Sequence, residues 1–311
     1  MMTDTSGKEI ILSAPLSVSL RMEEDVPADD LYAVFPDTAV GELCGVTVID
    51  GGKTVFKGVV DEQERILRAS GAFLRLSARS LAAYLLDNEA RPSVYDHPGA
   101  RLIYDRHVRE YGIAAGDTDD ATCFGELHVT KGMSQWGVIR AFSAACYSAV
   151  PRISADGVLY LKGLAERNTV TFGGSTGIPY VALTETIRRC DELSCVNVKL
   201  SSEDGYGYRV ENRDAQARGI RRERYLNAML GGQSVKNADI MLDKSWQKAH
   251  TVTLKCIGRH TDLLGHSAVI HDASPGDGYC ISAVKYRLDS QGEYTLIKLR
   301  RRTKSCGYPA M

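Results

Sequence analysis

The chain has 311 residues, enough to bury a sizeable core and to divide into two or three domains. Lys and Arg number 38 against 39 Asp and Glu, a formal net charge of −1, so no bulk field gathers nucleic acid or an anionic membrane surface. The opening MMTDTSGKEI lacks a basic-then-apolar leader, no apolar run reaches the roughly 20 residues that span a bilayer, and the cysteines lack paired spacing, so the expectation is a soluble chain folded in a cytoplasm with reduced thiols.

Residues 8 to 79 are rich in strand signals. EIILSA and PLSVSLRM come first, with Leu16, Val18 and Leu20 in period-two alternation, and LYAVFP reads as an insertion. A three-stranded meander follows from Gly45 to Arg79. GVTVID turns at Asp50-Gly51-Gly52, KTVFKGVV returns, and after the polar stretch DEQERILR a turn at Ser70-Gly71 launches AFLRLSAR. From Ser77 the pattern predicts a helix, SARSLAAYLLDNEA, with Leu81 and Leu85 on one face, ending before Arg91-Pro92 because proline disfavours a helical predecessor. A second helix is predicted from near Pro98, with Asp96 before it and Tyr104, Val108 and Tyr111 at i, i+4 and i+7, stopped by Gly112. Ser134 caps a third, SQWGVIRAFSAACY, whose stripe of Trp136, Ile139, Phe142 and Cys146 reads as core. The hairpin RISADGVLYLKG closes this region.

Strand signals return in TVTFGG, NVKLSS and YRVEN. DAQARGIRRERYLNAML is open between helix and extended linker, and NADIMLDKSWQKAH places Leu242, Trp246 and Ala249 on one helical face. After TVTLKCIG a second meander runs from His266 to Arg302. HSAVIH turns through DASPGDG, YCISAVKYRL runs back, and the turn Asp289-Ser290-Gln291-Gly292 launches EYTLIKLRRR. Order and turn placement repeat the first meander in different residues. The expected fold is mainly β with an α+β insertion: two similar, tube-like β-barrel domains at 1–89 and 164–311, the second with a helical insertion, and a small α/β domain at 90–163.

Several groupings invite a chemical reading. Gly173-Gly174-Ser175-Thr176-Gly177 is a literal GxSxG, but a nucleophile elbow needs a helix directly after the serine, and Pro179 argues against one. Cys256, His260, Asp262, His266 and His271 are zinc-ligating residue types without paired spacing. Alternation along TVTLKCI instead turns Cys256 toward the core. Asp117, Asp119 and Asp120 lack the glycine and distal glutamate of a calcium loop. The basic groups at Arg188-Arg189, at Arg218 to Arg224, and at Arg300 to Arg302 with Lys304 lack interleaved aromatics for stacking bases, and read as solvated or subunit-interface faces. GGQSVKNA is not a phosphate loop. The expectation is no catalytic, metal or cofactor site.

The run VFKGVVDEQERILRASGAFLRLSARSLAAYLLDNEARPSVY, continued by LIYDRHVREYGI and KGMSQWGVIRAFSAACY, resembles the baseplate hub proteins of contractile phage tails and prophage-derived tailocins. These are the late-control-D-like hubs, related to the first part of type VI secretion spike proteins. KSWQKAHTVTLKCIGRHTDLLGHSAVIHDASPGDGYCISAVKYRLDSQGEYTLIKLRR is similar to that family's closing barrel, with its turn at Thr261 to Gly265; His266 stands where the pattern usually has an acidic residue. The resemblance is weakest between Leu164 and Gln233.

It implies a homotrimer in which three subunits with two alike barrels offer six near-equivalent positions, joining a sixfold tail tube to a threefold central spike. The implied partners are the tube protein or a tube initiator, the spike, baseplate wedge proteins and the tape measure protein, with the genome passing through the channel without specific binding. The implied location is the tail baseplate of a virion or tailocin assembled in the host bacterial cytoplasm, and no turnover is required. A tail-associated hydrolase and a glycan- or receptor-binding tail module are the alternatives.

Overall fold

The computed structural model describes residues 1–36, 39–69, 71–116, 119, 121–163, 168–200, 205–227, 234–271 and 278–302. The fold is mainly β, and contacts gather the chain into two compact units. One comprises Met1–Asn168, Ile257–Gly265 and Ala283–Leu296; the other comprises Thr169–Cys256, His266–Ser282 and Ile297–Met311.

The first unit is built on an antiparallel sheet of β1 (Met2–Asp4), β2 (Glu9–Ile10), β3 (Ser17–Glu23), β4 (Asp30–Pro36), β5 (Leu43–Asp50), β6 (Lys53–Arg68) and β7 (Gly71–Ser80). Side chains alternate as a half-buried sheet requires. Leu31, Ala33 and Phe35 of β4 are buried between Leu20 and Met22 of β3 and Leu74, Leu76 and Ala78 of β7. LYAVFP is therefore not an insertion but a central strand, laddered to β3 on one side and β7 on the other. The polar stretch DEQERILR is also strand: β6 runs unbroken from Lys53 to Arg68 with a register shift between Val60 and Glu62.

The predicted helix from Ser77 is shorter than expected. Ser77 to Ser80 stay in β7, held by ladders to β4 and β6, and α1 (Ala82–Asp87) begins only where those ladders end. Next come β8 (Ser93–Asp96), α2 (Ala100–His107), β9 (Ala114–Ala115), β10 (Glu126–Val129), α3 (Gln135–Tyr147), β11 (Arg152–Ile153) and β12 (Val158–Tyr160). Ser134 caps α3 as predicted, its Oγ accepting the Gly137 N–H at 3.1 Å. Trp136, Ile139 and Phe142 are buried, and Gly112 stops the second helical region in the left-handed conformation at φ 69°. This α+β region shares its core with the sheet: Ala28, Val59, Leu81 and Leu85 lie in one apolar cluster with Ile103, Ile139, Phe142 and Leu159. Contacts thus hold the first 168 residues together rather than parting them near residue 90.

The second unit contains β13 (Thr169–Phe172), β14 (Tyr180–Ile187), β15 (Cys195–Val198), β16 (Tyr208–Glu211), α4 (Arg213–Ala217), β17 (Glu223–Leu226), α5 (Ser234–Ala249), β18 (His250–Ile257) and β19 (Ser267–Ile270). The stretch left open in the sequence resolves into α4 followed by β17. Val196 and Val198 of the small sheet β16-β15-β17 pack on Ala238 and Leu242 of α5. The last strands, β20 (Tyr279–Asp289) and β21 (Gly292–Arg301), contribute residues to both units.

Hydrogen-bonded neighbours run β3-β4-β7-β6-β5 in the first set of strands and β14-β18-β21-β20-β19 in the second. In chain order, β3, β4, β5, β6 and β7 answer one for one to β14, β18, β19, β20 and β21. The repeat suspected from two meanders thus extends to five strands with one pairing order.

The first sheet is strongly curled. Five ladder steps separate β5 from β20, roughly 24 Å if flat at about 4.8 Å each. Yet Asp50, at the tip of β5, accepts from Arg259 Nε at 2.5 Å, and Arg259 follows Gly258, whose N–H donates to the Glu293 carbonyl of β21 at 3.1 Å.

Candidate functional site

The residues singled out for chemistry are placed apart, each with a local structural role. Ser175 lies exposed in the turn joining β13 to β14. That turn is closed by Gly173 N–H to Ile178 O and Ile178 N–H to Thr171 O, both 2.9 Å. A strand follows, not a helix, so no helix amides stand behind the hydroxyl. The glycines serve close approach: a Cβ on Gly177 would lie 2.3 Å from the Gly173 carbonyl oxygen, and one on Gly174 would lie 3.0 Å from the His271 ring.

Among the described residues, no three His, Cys, Asp or Glu side chains come together as a metal cluster. Cys256 is buried in β18, and burial pushes its thiol up to about 11. His260 Nε2 donates to the Ile257 carbonyl at 3.0 Å, Asp262 lies in the 3-10 turn Thr261–Leu263, and the His266 carbonyl accepts from Ile281 N–H at 2.8 Å. Asp119 is bound by Lys162 and Tyr147, each at 2.6 Å, which hold its carboxyl down to about 2. Asp117 and Asp120 lie outside the described residues, as does Lys304.

The arginine groups are largely engaged by neighbouring backbone and carboxylates. Arg189 donates to Arg218 O at 2.7 Å, Arg222 donates to Arg189 O at 3.0 Å, and Arg218 pairs with buried Glu192. Arg188 faces Asp191 at 3.5 Å, and Arg209 bridges Glu223 at 2.8 Å and Glu211 at 3.0 Å. Near the end of β21, Arg300 donates to Gln247. Arg301 lies over the Trp246 ring and donates to His250 Nδ1 at 2.7 Å, while His250 Nε2 donates to Glu185 at 2.5 Å. These contacts fasten α5 and β18 to the end of β21. Neither tryptophan is an open aromatic platform: Trp136 is buried and Trp246 is covered by Arg301.

A cleft of about 370 Å³ in the first unit is lined by Val150, Pro151, Leu264, Glu24, Arg152 and Lys162. Its arginine is committed elsewhere. Buried Arg152 donates to Glu23 O at 2.9 Å and Val26 O at 2.7 Å and pairs with buried Asp29, so it serves to tie the β3–β4 loop to β11.

What the sequence reading missed is the strand after the GxSxG turn. β14 is exposed along nearly its whole length, and its described ladder is to β18 alone. Its signal is the β-prone run YVALTETI, which has no buried alternation to mark it.

Thiol labelling tests this placement. Cys44 and Cys190 are exposed and are expected to react at once in the native protein, whereas Cys195 and Cys256 react only on unfolding. Peptide mapping that finds Cys256 labelled early would contradict its burial.

The fold defined here is that of phage and prophage tail proteins. The chain is similar to a tail protein from Neisseria meningitidis MC58 (TM-score 0.72, 16% identity, 96% of this chain and 95% of that one) and to the 43 kDa tail protein of prophage MuSo2 from Shewanella oneidensis (TM-score 0.75, 14% identity, 94% and 96%). It is also similar to the E. coli c3393 protein, a component of the type VI secretion system (TM-score 0.55, 11% identity, 93% and 74%). No protein-family model matches the sequence, and no curated protein matches it.

Proposed function

We propose that this chain is the baseplate hub of a contractile tail, a homotrimer that joins the sixfold tail tube to the threefold central spike and lines the channel between them. The observation that carries the reading is the five-strand pairing order written twice within a fold that matches tail proteins from end to end. Two similar modules in each of three copies supply six near-equivalent positions to the tube and three to the spike. The E. coli structure's described similarity to the T4 tail proteins gp27 and gp5 supports the same place in the assembly.

The partners are other copies of the chain, the tube protein or its initiator, the spike, the wedge proteins and the tape measure protein. With a net charge of −1 the chain offers no bulk attraction to a genome, which suits passage without binding. Among the described residues no helix is long and apolar enough to cross a membrane. The role is architectural and needs no turnover, and the particle, virion or tailocin, is assembled in the host cytoplasm.

Antibody against this chain should label one end of isolated tails, at three copies per tail by calibrated peptide quantification. Label distributed along the tail, or none, contradicts the reading. The hydrolase alternative is tested on the same particles: Ser175→Ala, at an exposed turn position, is expected to leave both melting temperature and wall lysis unchanged. Loss of lysis with the fold intact would favour the enzyme.

A further inference from the structure

The two sets of strands match in pairing order but differ in one ladder. β3 pairs antiparallel with the C-terminal half of β20, from Ala283 opposite Glu23 to Leu288 opposite Val18, beyond the point where the β19 ladder ends at Cys280. The counterpart of that ladder would join β14 to the C-terminal half of β6. Both of its edges are open among the described residues. β14 is laddered to β18 alone, and β6 pairs with β5 only from Lys53 to Val59, so that its stretch from Asp61 to Arg68 has β7 on one edge and no ladder strand on the other. Gln63, binding Leu43 N–H at 2.9 Å and Gly41 O at 3.0 Å, marks where the chain entering β5 leaves that edge.

The surfaces are those of strands awaiting a neighbour. Val181, Leu183 and Ile187 of β14 are 60%, 40% and 69% exposed, and Leu67 of β6 is 71% exposed. The eight residues of β14 include one charge, Glu185, and neither proline nor glycine. The β14–β18 ladder shifts register between Tyr180 and Ala182, and the Asp61 to Arg68 half of β6 carries five charges, yet a strand edge with a single charge and no proline is still a template for pairing.

We infer that β14 of one copy pairs antiparallel with the Asp61 to Arg68 half of β6 in a second copy, making between chains the ladder that β3 and β20 make within one. This rests on the hub reading and names the surface by which its copies join. The two strands differ, so the contact is heterologous: each copy offers β14 to one neighbour and β6 to the other, and such contacts close into rings when the rotation allows. By the direction of the β3–β20 ladder, Ile187 lies toward Glu62, and Val181 lies toward Leu67, which brings two exposed apolar side chains together.

The test is a paired cysteine variant, Val181→Cys with Leu67→Cys, in a background with Cys44 and Cys190 replaced by serine. Mild oxidation is expected to give a covalent ladder of two and three chains on a denaturing gel, and neither single cysteine gives one. In parallel, the triple variant Val181→Lys, Leu183→Lys and Ile187→Lys should raise the midpoint concentration of assembly roughly tenfold or more. These side chains are exposed in the single chain, so its melting temperature should hold. An oligomer unaffected by the triple variant and giving no 67–181 cross-link overturns this ladder and leaves the hub reading standing. A wild-type chain that stays monomeric at every concentration, even when produced with its tube and spike proteins, overturns both.

Discussion

Arg152→Ala is expected to cost about 3–5 kcal/mol of stability at pH 8, because it strands a buried carboxylate. Arg152 and Asp29 are both buried, and the guanidinium also donates to the carbonyls of Glu23 and Val26, so one substitution removes a donor from three acceptors, of which Glu23 O keeps the Val26 N–H at 3.2 Å. Burial outweighs the attraction of Arg152 and lifts the Asp29 carboxyl from 3.8 to about 6. An acid whose pKa is raised by folding holds its proton more tightly in the native state. Its contribution to stability is therefore fully present below pH 3.8 and declines as pH rises from there to about 6.

Removing Arg152 raises the carboxyl further, so the cost of Arg152→Ala should shrink at pH 5, where Asp29 can stay neutral. Denaturant melts at pH 5 and pH 8 check the sign. A double variant, Arg152→Met with Asp29→Leu, should recover much of the loss by replacing the pair with apolar packing, although both loop carbonyls lose the guanidinium and Glu23 O keeps only the Val26 N–H. Equal costs for Arg152→Ala at the two pH values would contradict the buried pair.

Gly58→Ala is expected to destabilise by about 3 kcal/mol or more, at the upper end of overpacking effects. A Cβ at Gly58 would lie 2.1 Å from the Arg79 carbonyl oxygen and 2.9 Å from the Phe56 ring. Neither neighbour can yield cheaply. Gly58 stands opposite Ser80, and Val59 opposite Arg79, in the β6–β7 ladder; Phe56 is buried; and Arg79 is bound to Asp61 at 2.7 Å and to Asp87 at 2.6 Å. Gly45→Ala in the adjacent strand is the control. Its Cβ would meet nothing closer than the Thr3 Cβ at 3.4 Å, so its melting temperature should stay near that of the parent. Two variants of equal stability would show that β6 and β7 are not as close as described.

How much of this was legible in the residues depended on whether one face of an element is buried. The α3 helix carries a Ser134 cap and a stripe through Trp136, Ile139 and Phe142, and both signals point to one period. β7 alternates strictly from Leu74 through Ser80, yet its Ser77 also looks like a helix cap, and only ladders to β4 and β6 decide against the cap. The second half of β6 has no buried face, so DEQERILR shows no alternation and its strand state comes from pairing with β7. The same reason hid β14, whose exposed residues give no inside and outside to read.

The candidate chemical residues fared differently. The proline after Gly177 correctly signalled that no helix follows Ser175, whereas the pairing of Arg152 with Asp29, 123 residues apart, leaves no trace in either local sequence. An open edge shared between β14 and β6 is likewise a property of topology: it appears only when two pairing orders are laid side by side.

Native mass measurement of the purified chain across a concentration series shows whether the duplicated strand set works as a threefold self-assembly. A species of three times the 34.0 kDa chain mass is expected to grow with concentration, with no stable twofold form accumulating beside it. A stable dimer that persists at high concentration, or a chain that remains single throughout even with its tube and spike proteins present, would contradict it.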